Sequence, residues 1–156
     1  MTPLDASILP AGIRARFVDG INGLRMHLLE AGFETPGRKC VLLLHGFPEL
    51  AWSWRKVMPA LAAAGYHVVA PDQRGYGRTT GWSADYDGDL RPFHMLNLTR
   101  DALGLVFALG YRSVAAVVWP GVGAWLPPWF ALFPPLFLFR VAFAGALFAR
   151  LTRSRA

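Results

Sequence analysis

Two short runs hold the residue types that can do chemistry: His45-Gly46-Phe47-Pro48-Glu49 and Asp72-Gln73-Arg74-Gly75-Tyr76-Gly77-Arg78. In the first, Gly46 and Pro48 follow an apolar run, so the backbone turns sharply where a strand ends. Such a turn can aim the Phe47 backbone N–H into a cleft, the geometry needed to hold a developing oxyanion. An ordinary tight strand-to-helix connection would use the same residues. In the second run, Gly75 and Gly77 permit an irregular loop, and Asp72 and Arg74 are spaced for a hydrogen-bonded ion pair that pins it. The other glycines of a dinucleotide fingerprint are missing, so this loop reads as structural rather than as a phosphate cradle.

The remaining reactive side chains are poorly placed for catalysis. Of the four histidines, His45 belongs to the turn, His27 and His67 fall within predicted strands, and His94 starts a predicted helix. A strand histidine is more often a satisfied or surface imidazole than a base. No two of them have the i, i+4 spacing of helical metal ligands, so no metal or cofactor is expected. Ser53 lies on a predicted helix rather than at a sharp corner, and Trp52 and Trp54 read as packing residues. Cys40 is the single cysteine. It heads an apolar run, reads as a small buried hydrophobe, and excludes a disulfide framework.

Alternating strands and helices must position these groups. RARFV and LRMHLLEAG, joined by DGING, predict a β-hairpin. GRKCVLLLHGF, YHVVAPD and SVAAVV are short apolar runs that predict strands buried on both faces. AWSWRKVMPALAAAG predicts one helix closed by Gly65, and HMLNLTRDALGLVFALG a longer one closed by Gly110. This order implies parallel β-α-β units, an α/β class in which strands ending near His45, Ala70 and Val118 open on the same edge. Ligands in such sheets bind at the carboxyl ends of the strands.

Composition narrows the function classes. The chain has 156 residues, is 54% hydrophobic and carries a formal charge of +6; its mean hydropathy is +0.32. Residues 1–113 hold 12 Lys/Arg against 10 Asp/Glu, and residues 114–156 hold four Arg and no acid. The basic residues are scattered or terminal, which argues against a nucleic-acid partner. The N-terminus lacks a basic stretch followed by an apolar core, so no signal peptide is expected and a cytoplasmic location is.

HGFPE followed by SWR, then DQRGYGRT, resembles the α/β-hydrolase superfamily, and within it the epoxide hydrolases and the related haloacid and haloalkane dehalogenases. LTRDALGLVFALGYRSVAAVV resembles the helix and strand that lead to the nucleophile in that family. The resemblance covers about residues 12–118, the N-terminal half of the family's sheet. It implies small-molecule epoxide, halide or ester substrates and a covalent mechanism, in which an Asp carboxylate on a strained elbow attacks the substrate. A His with an acidic partner then activates water. The oxyanion hole would comprise the N–H groups at Phe47 and at the residue after the nucleophile, here Val122.

That elbow usually reads Gly-His-Asp-Trp-Gly or a close variant. Here VAAVVWPGVGAW sets Trp119 where a small residue belongs, Pro120 where His is usual and Gly121 on the nucleophile. Gly121 has no side chain with which to attack. Residues 119–156 form an apolar tail with five prolines between 120 and 135, followed by an apolar strand-like run that includes Val141 and Ala142. The strands for the catalytic acid and base, and the cap domain, find no counterpart. The expectation is a partial, inactive hydrolase. The alternative is a non-enzymatic membrane-associated protein, since residues 114–139 carry no charge and are followed by Arg140 and RLTRSR. Pro127-Pro128 and Pro134-Pro135 would break a single spanning helix.

Overall fold

The computed structural model describes residues 1–118 and 138–142. Its first long elements are β1 (Ile13–Ile21) and β2 (Leu24–Ala31), an antiparallel hairpin. Only Asn22 and Gly23 separate them, at φ 50° and 81°. A two-residue turn left-handed at both positions matches the twist of the strands, and Asn-Gly is the pair that adopts it at least cost. The predicted hairpin is therefore present, with β1 running on through most of the expected turn.

Three apolar runs then make β3 (Cys40–Leu44), β4 (His67–Pro71) and β5 (Ser113–Val118). They pair in parallel, β4 with β3 and β3 with β5, so all three open on one edge as the sequence predicts. β2 joins β4 antiparallel, with Leu29 opposite Ala70. The apolar run that includes Val141 and Ala142 forms β6 (Leu138–Ala142). Its backbone is antiparallel to β5, Leu138 facing Val117. The sheet of the described residues thus has the order β1-β2-β4-β3-β5-β6.

Both faces of the central sheet are covered, which is why β3 is apolar throughout and β4 apolar at every position but His67. On one face Val41, Leu43, Val68 and Ala70 pack with Ala51 and Met58. On the other Cys40, Leu42 and Val69 pack with Leu105 and Val106. Leu105 and Val106 come from α2 (Met95–Ala108), the long helix expected from its amphipathic spacing. Gly110 follows it at φ 82°.

The other predicted helix is not continuous. Ala51–Lys56 is a 3₁₀ turn, and α1 is confined to Met58–Ala63. Pro59 explains the break. It has no N–H to give the carbonyl four residues earlier, so the ladder must restart with Pro59 in its first turn. Cys40 is buried, and burial pushes its thiol up to about 12, so it behaves as the small hydrophobe expected.

Candidate functional site

The strand ends bring the two chemistry-bearing runs side by side. Gln73, directly after β4 and Asp72, grips His45 twice. Its backbone N–H donates to His45 Nε2 at 3.0 Å. Its side-chain Nε2–H donates to the His45 carbonyl. Because His45 Nε2 accepts, the ring proton sits on Nδ1, which donates to the Gly46 carbonyl at 3.0 Å. The Glu49 N–H donates to that same carbonyl at 2.9 Å. Tyr76 meets the His45 ring edge-on, with centroids 4.9 Å apart. The carbonyls on either side of Gly46 are thereby held within the turn, and Phe47 is left on the rim with 71% of its surface exposed. The Phe47–Pro48 peptide is cis.

Asp72 fixes the far end of the same turn. Its Oδ1 accepts from the Ala51 N–H at 3.0 Å. Its Oδ2 accepts from the Arg78 N–H at 3.0 Å and lies 2.8 Å from His27 Nδ1. Burial works to raise this carboxyl's pKa, but the bonds from His27, Arg78 and Ala51 outweigh it and hold the group below the ordinary carboxylate value. Gly77 makes this possible, since a Cβ there would sit 2.2 Å from Asp72 Oδ2. Gly75 lies against the Phe93 ring, 3.0 Å from where its own Cβ would be.

The expected Asp72–Arg74 ion pair is not what pins the loop. Arg74 turns instead to Asp101 on α2, with Nε donating to Oδ2 and Nη2 to Oδ1, both at 2.8 Å. Arg74 Nη2 also donates to the Asn22 carbonyl, and the Asn22 amide donates to Asp101 Oδ1 at 2.7 Å. The reason is geometric. Asp72 is already taken up by His27 and two backbone N–H groups, while Asp101 offers Arg74 the planar, two-pronged match that a guanidinium prefers. Asp101 was legible in principle as an acid on the apolar side of α2, three residues after Leu98 and four before Leu105. Gln73, uncharged and in a loop, gives no such signal.

Beside the turn lies a cavity of about 610 Å³. The sheet contributes Leu44 and Ala116, α2 contributes Leu98, Ala102 and Val106, and Gly46 and Phe47 form one end. A backbone N–H at the end of a largely apolar cleft is suited to stabilise charge developing on an oxygen. Gly121 and Val122, the expected nucleophile position and second donor, lie outside the described residues, as does the rest of the tail except β6. No helix of the described residues is long and apolar enough to cross a membrane.

The histidines are all accounted for. His27 is fully buried and tied to Asp72, so it is a satisfied imidazole at Nδ1 rather than a surface one. His67 Nδ1 lies 2.6 Å from the Tyr111 hydroxyl. Its Nε2 is 3.4 Å from Glu30 Oε1, a longer contact than a well-formed hydrogen bond. His94 precedes α2 and is exposed. Ser53 is exposed on the 3₁₀ turn, and Trp52 and Trp54 pack against the core as expected. Among the described residues no group of three or more His, Cys, Asp or Glu could hold a metal ion.

Comparison with known proteins gives consistent matches. A family model described as alpha/beta hydrolase fold matches residues 39–119. Epoxide hydrolase A of Mycobacterium tuberculosis is 45% identical over 115 residues, which cover 72% of this chain and 33% of that protein. The AB hydrolase superfamily protein YfhM of Bacillus subtilis is 34% identical over 118 residues, 73% of this chain and 38% of its own length. Among solved structures, epoxide hydrolase A from Mycobacterium thermoresistibile superposes with a TM-score of 0.60 at 44% identity, covering 68% of this chain and 31% of that one. The chain spans about a third of the length of the curated relatives it matches.

Proposed function

The chain belongs to the alpha/beta hydrolase fold family, and we propose that it is an epoxide-hydrolase-like member that carries the oxyanion turn without a working nucleophile and base. The observation that carries this reading is the double clamp on the turn. Gln73 holds His45, Asp72 holds Ala51, and Phe47 stands between them on the rim of an apolar cavity. Preorganised donors of this kind are worth about 3 kcal/mol each in acyl-transfer enzymes, and they act only when a reacting oxygen is delivered to them.

In the family's chemistry a carboxylate opens the substrate ring, and water activated by a histidine then cleaves the resulting ester. The names of the relatives point to small epoxides, and the family resemblance adds haloalkanes and esters. In this chain Gly121 occupies the nucleophile position and has nothing to attack with. No histidine is available as a base. His27 is bonded through Nδ1 to buried Asp72, His67 Nδ1 is paired with the Tyr111 hydroxyl, both ring nitrogens of His45 are engaged in the turn, and His94, exposed before α2, does not line the cavity.

The purified chain is expected to show no turnover of epoxides, haloalkanes or activated esters above a heat-denatured control. Gly121→Asp alone is expected to leave it silent, because a carboxylate without a base can at most form an ester that is never released. Hydrolysis above the control by the unaltered chain overturns the reading and directs attention to Ser53 and Ser113.

A further inference from the structure

We infer that Gln73 is a positioning residue, whose carboxamide sets the direction of the Phe47 N–H. This deepens the reading above and takes the role of the turn from it. Residues 46–50 are suspended between two fixed points, and consecutive residues of one loop supply both. Asp72 accepts from Ala51 N–H at the far end, and Gln73 holds His45 at the near end.

The two grips on His45 do different work. The Gln73 backbone N–H fixes the imidazole as the Nδ1–H tautomer, and any residue at 73 other than proline supplies it. The side-chain grip needs a donor, because it lands on the His45 carbonyl. That carbonyl belongs to the same peptide unit as the Gly46 N–H, so holding it fixes the 45–46 plane and the seat of His45. The His45 Nδ1–H, with the Glu49 N–H, then holds the Gly46 carbonyl of the next unit, the one that carries the Phe47 N–H. A methionine at 73 matches glutamine in length but donates nothing. A glutamate would direct an oxygen at the carbonyl. A lysine is one methylene longer, can still bring its Nζ to the carbonyl and keeps N–H donors. The requirement at 73 is therefore a donor within reach of that carbonyl, a chemical demand distinct from filling space.

Nitrogen-15 NMR of the whole chain tests this. In the unaltered protein the His45 ring should show the Nδ1–H tautomer, and Phe47 a single sharp amide signal. In Gln73→Met the Phe47 and Gly46 amide signals should shift and broaden. The Glu49 amide, bonded to the Gly46 carbonyl, should exchange with solvent about tenfold faster. The Ala51 amide, held by Asp72, and the amides of α2 should keep their rates. Gln73→Lys should return the Phe47 signal to its original position. The inference fails if Gln73→Met leaves Phe47 and Glu49 unchanged. It also fails if Ala51 and α2 lose protection together with Glu49, since Gln73 would then serve global stability only. Should Gln73→Met not fold, the Gln73 side-chain Nε2–H signals of the unaltered chain decide instead: signals shifted and slow to exchange support the clamp, and solvent-like ones overturn it. These readouts follow turn geometry and not turnover, so the inference and the proposed catalytic silence can fail separately.

Discussion

Asp72 is the residue on which the site's geometry converges, and Gly77 is what lets it do so. The carboxylate gathers two backbone N–H groups and one imidazole, all from separate parts of the chain. Such an arrangement leaves no room on the loop side, where a Cβ at 77 would come within 2.2 to 2.8 Å of three carboxylate atoms. Gly77 also has φ +54°, a left-handed conformation that disfavours a side chain. Gly12 is a useful comparison, since it has φ +79° but nothing within 4 Å of its would-be Cβ. Gly12→Ala should therefore cost about 1 kcal/mol, from backbone strain alone. Gly77→Ala should cost about 3 kcal/mol or more, because it displaces a buried carboxylate from its partners as well. Chemical denaturation measures both, and equal losses at the two sites would refute the steric account of Gly77.

At the level of elements, the hairpin is joined to the parallel strands through a buried acid. Glu30 on β2 is fully buried, yet it takes Arg14 Nε at 2.7 Å and Arg16 Nε at 2.8 Å from β1, with His67 of β4 beside it. Burial opposes its ionisation, but His67, Arg16 and Arg14 outweigh it and lower the pKa to about 2. A depressed acid pKa stabilises the fold fully above the unfolded value of about 4.5 and loses that contribution as pH falls towards 2. Unfolding free energy should accordingly fall between pH 4.5 and 2, and Glu30→Gln should flatten that limb while destabilising the protein at neutral pH. A limb just as steep in Glu30→Gln would assign the acid sensitivity elsewhere. The pairing was only half legible in the sequence. Short apolar runs revealed β3, β4 and β5, and apolar residues at helical spacing revealed α2, because burial between two layers or along one helix face imposes those patterns. Such patterning is silent about long-range polar partners. Arg14, Arg16 and Glu30 look like ordinary strand charges until the register sets Arg14 opposite Glu30. Arg74 was read with its neighbour Asp72 because proximity in sequence is visible, whereas Asp101, 27 residues on, becomes its partner only through α2 packing. The break at Pro59 was present in the sequence, but the apolar spacing on either side of it suggested one helix.

Across the whole molecule, two regions differ in how well they keep the family's pattern. Through Val118 the HGFPE and DQRGYGRT loops are intact and make the contacts described above. Gly77 still leaves space for Asp72, Gln73 and His45 still meet, and β5 still pairs with β3 up to Val118. The family match ends at residue 119, and from there Trp119, Pro120 and Gly121 replace the small residue, histidine and nucleophile expected at the elbow. Slow decay of an unused enzyme would spread substitutions over both regions, since a turn that stabilises no oxyanion is under no demand to keep its clamp. An abrupt boundary calls for an abrupt cause, such as a frame slip or clustered base errors at about codon 119. The expected outcome is that another reading frame through codons 119 to 125 encodes a small-residue, histidine, aspartate elbow in line with Val118. Resequencing the locus decides the matter. If the bases stand as read and neither other frame yields an aspartate flanked by small residues, the abrupt-event account is wrong, and the apolar stretch after β5 is a genuine feature of this protein.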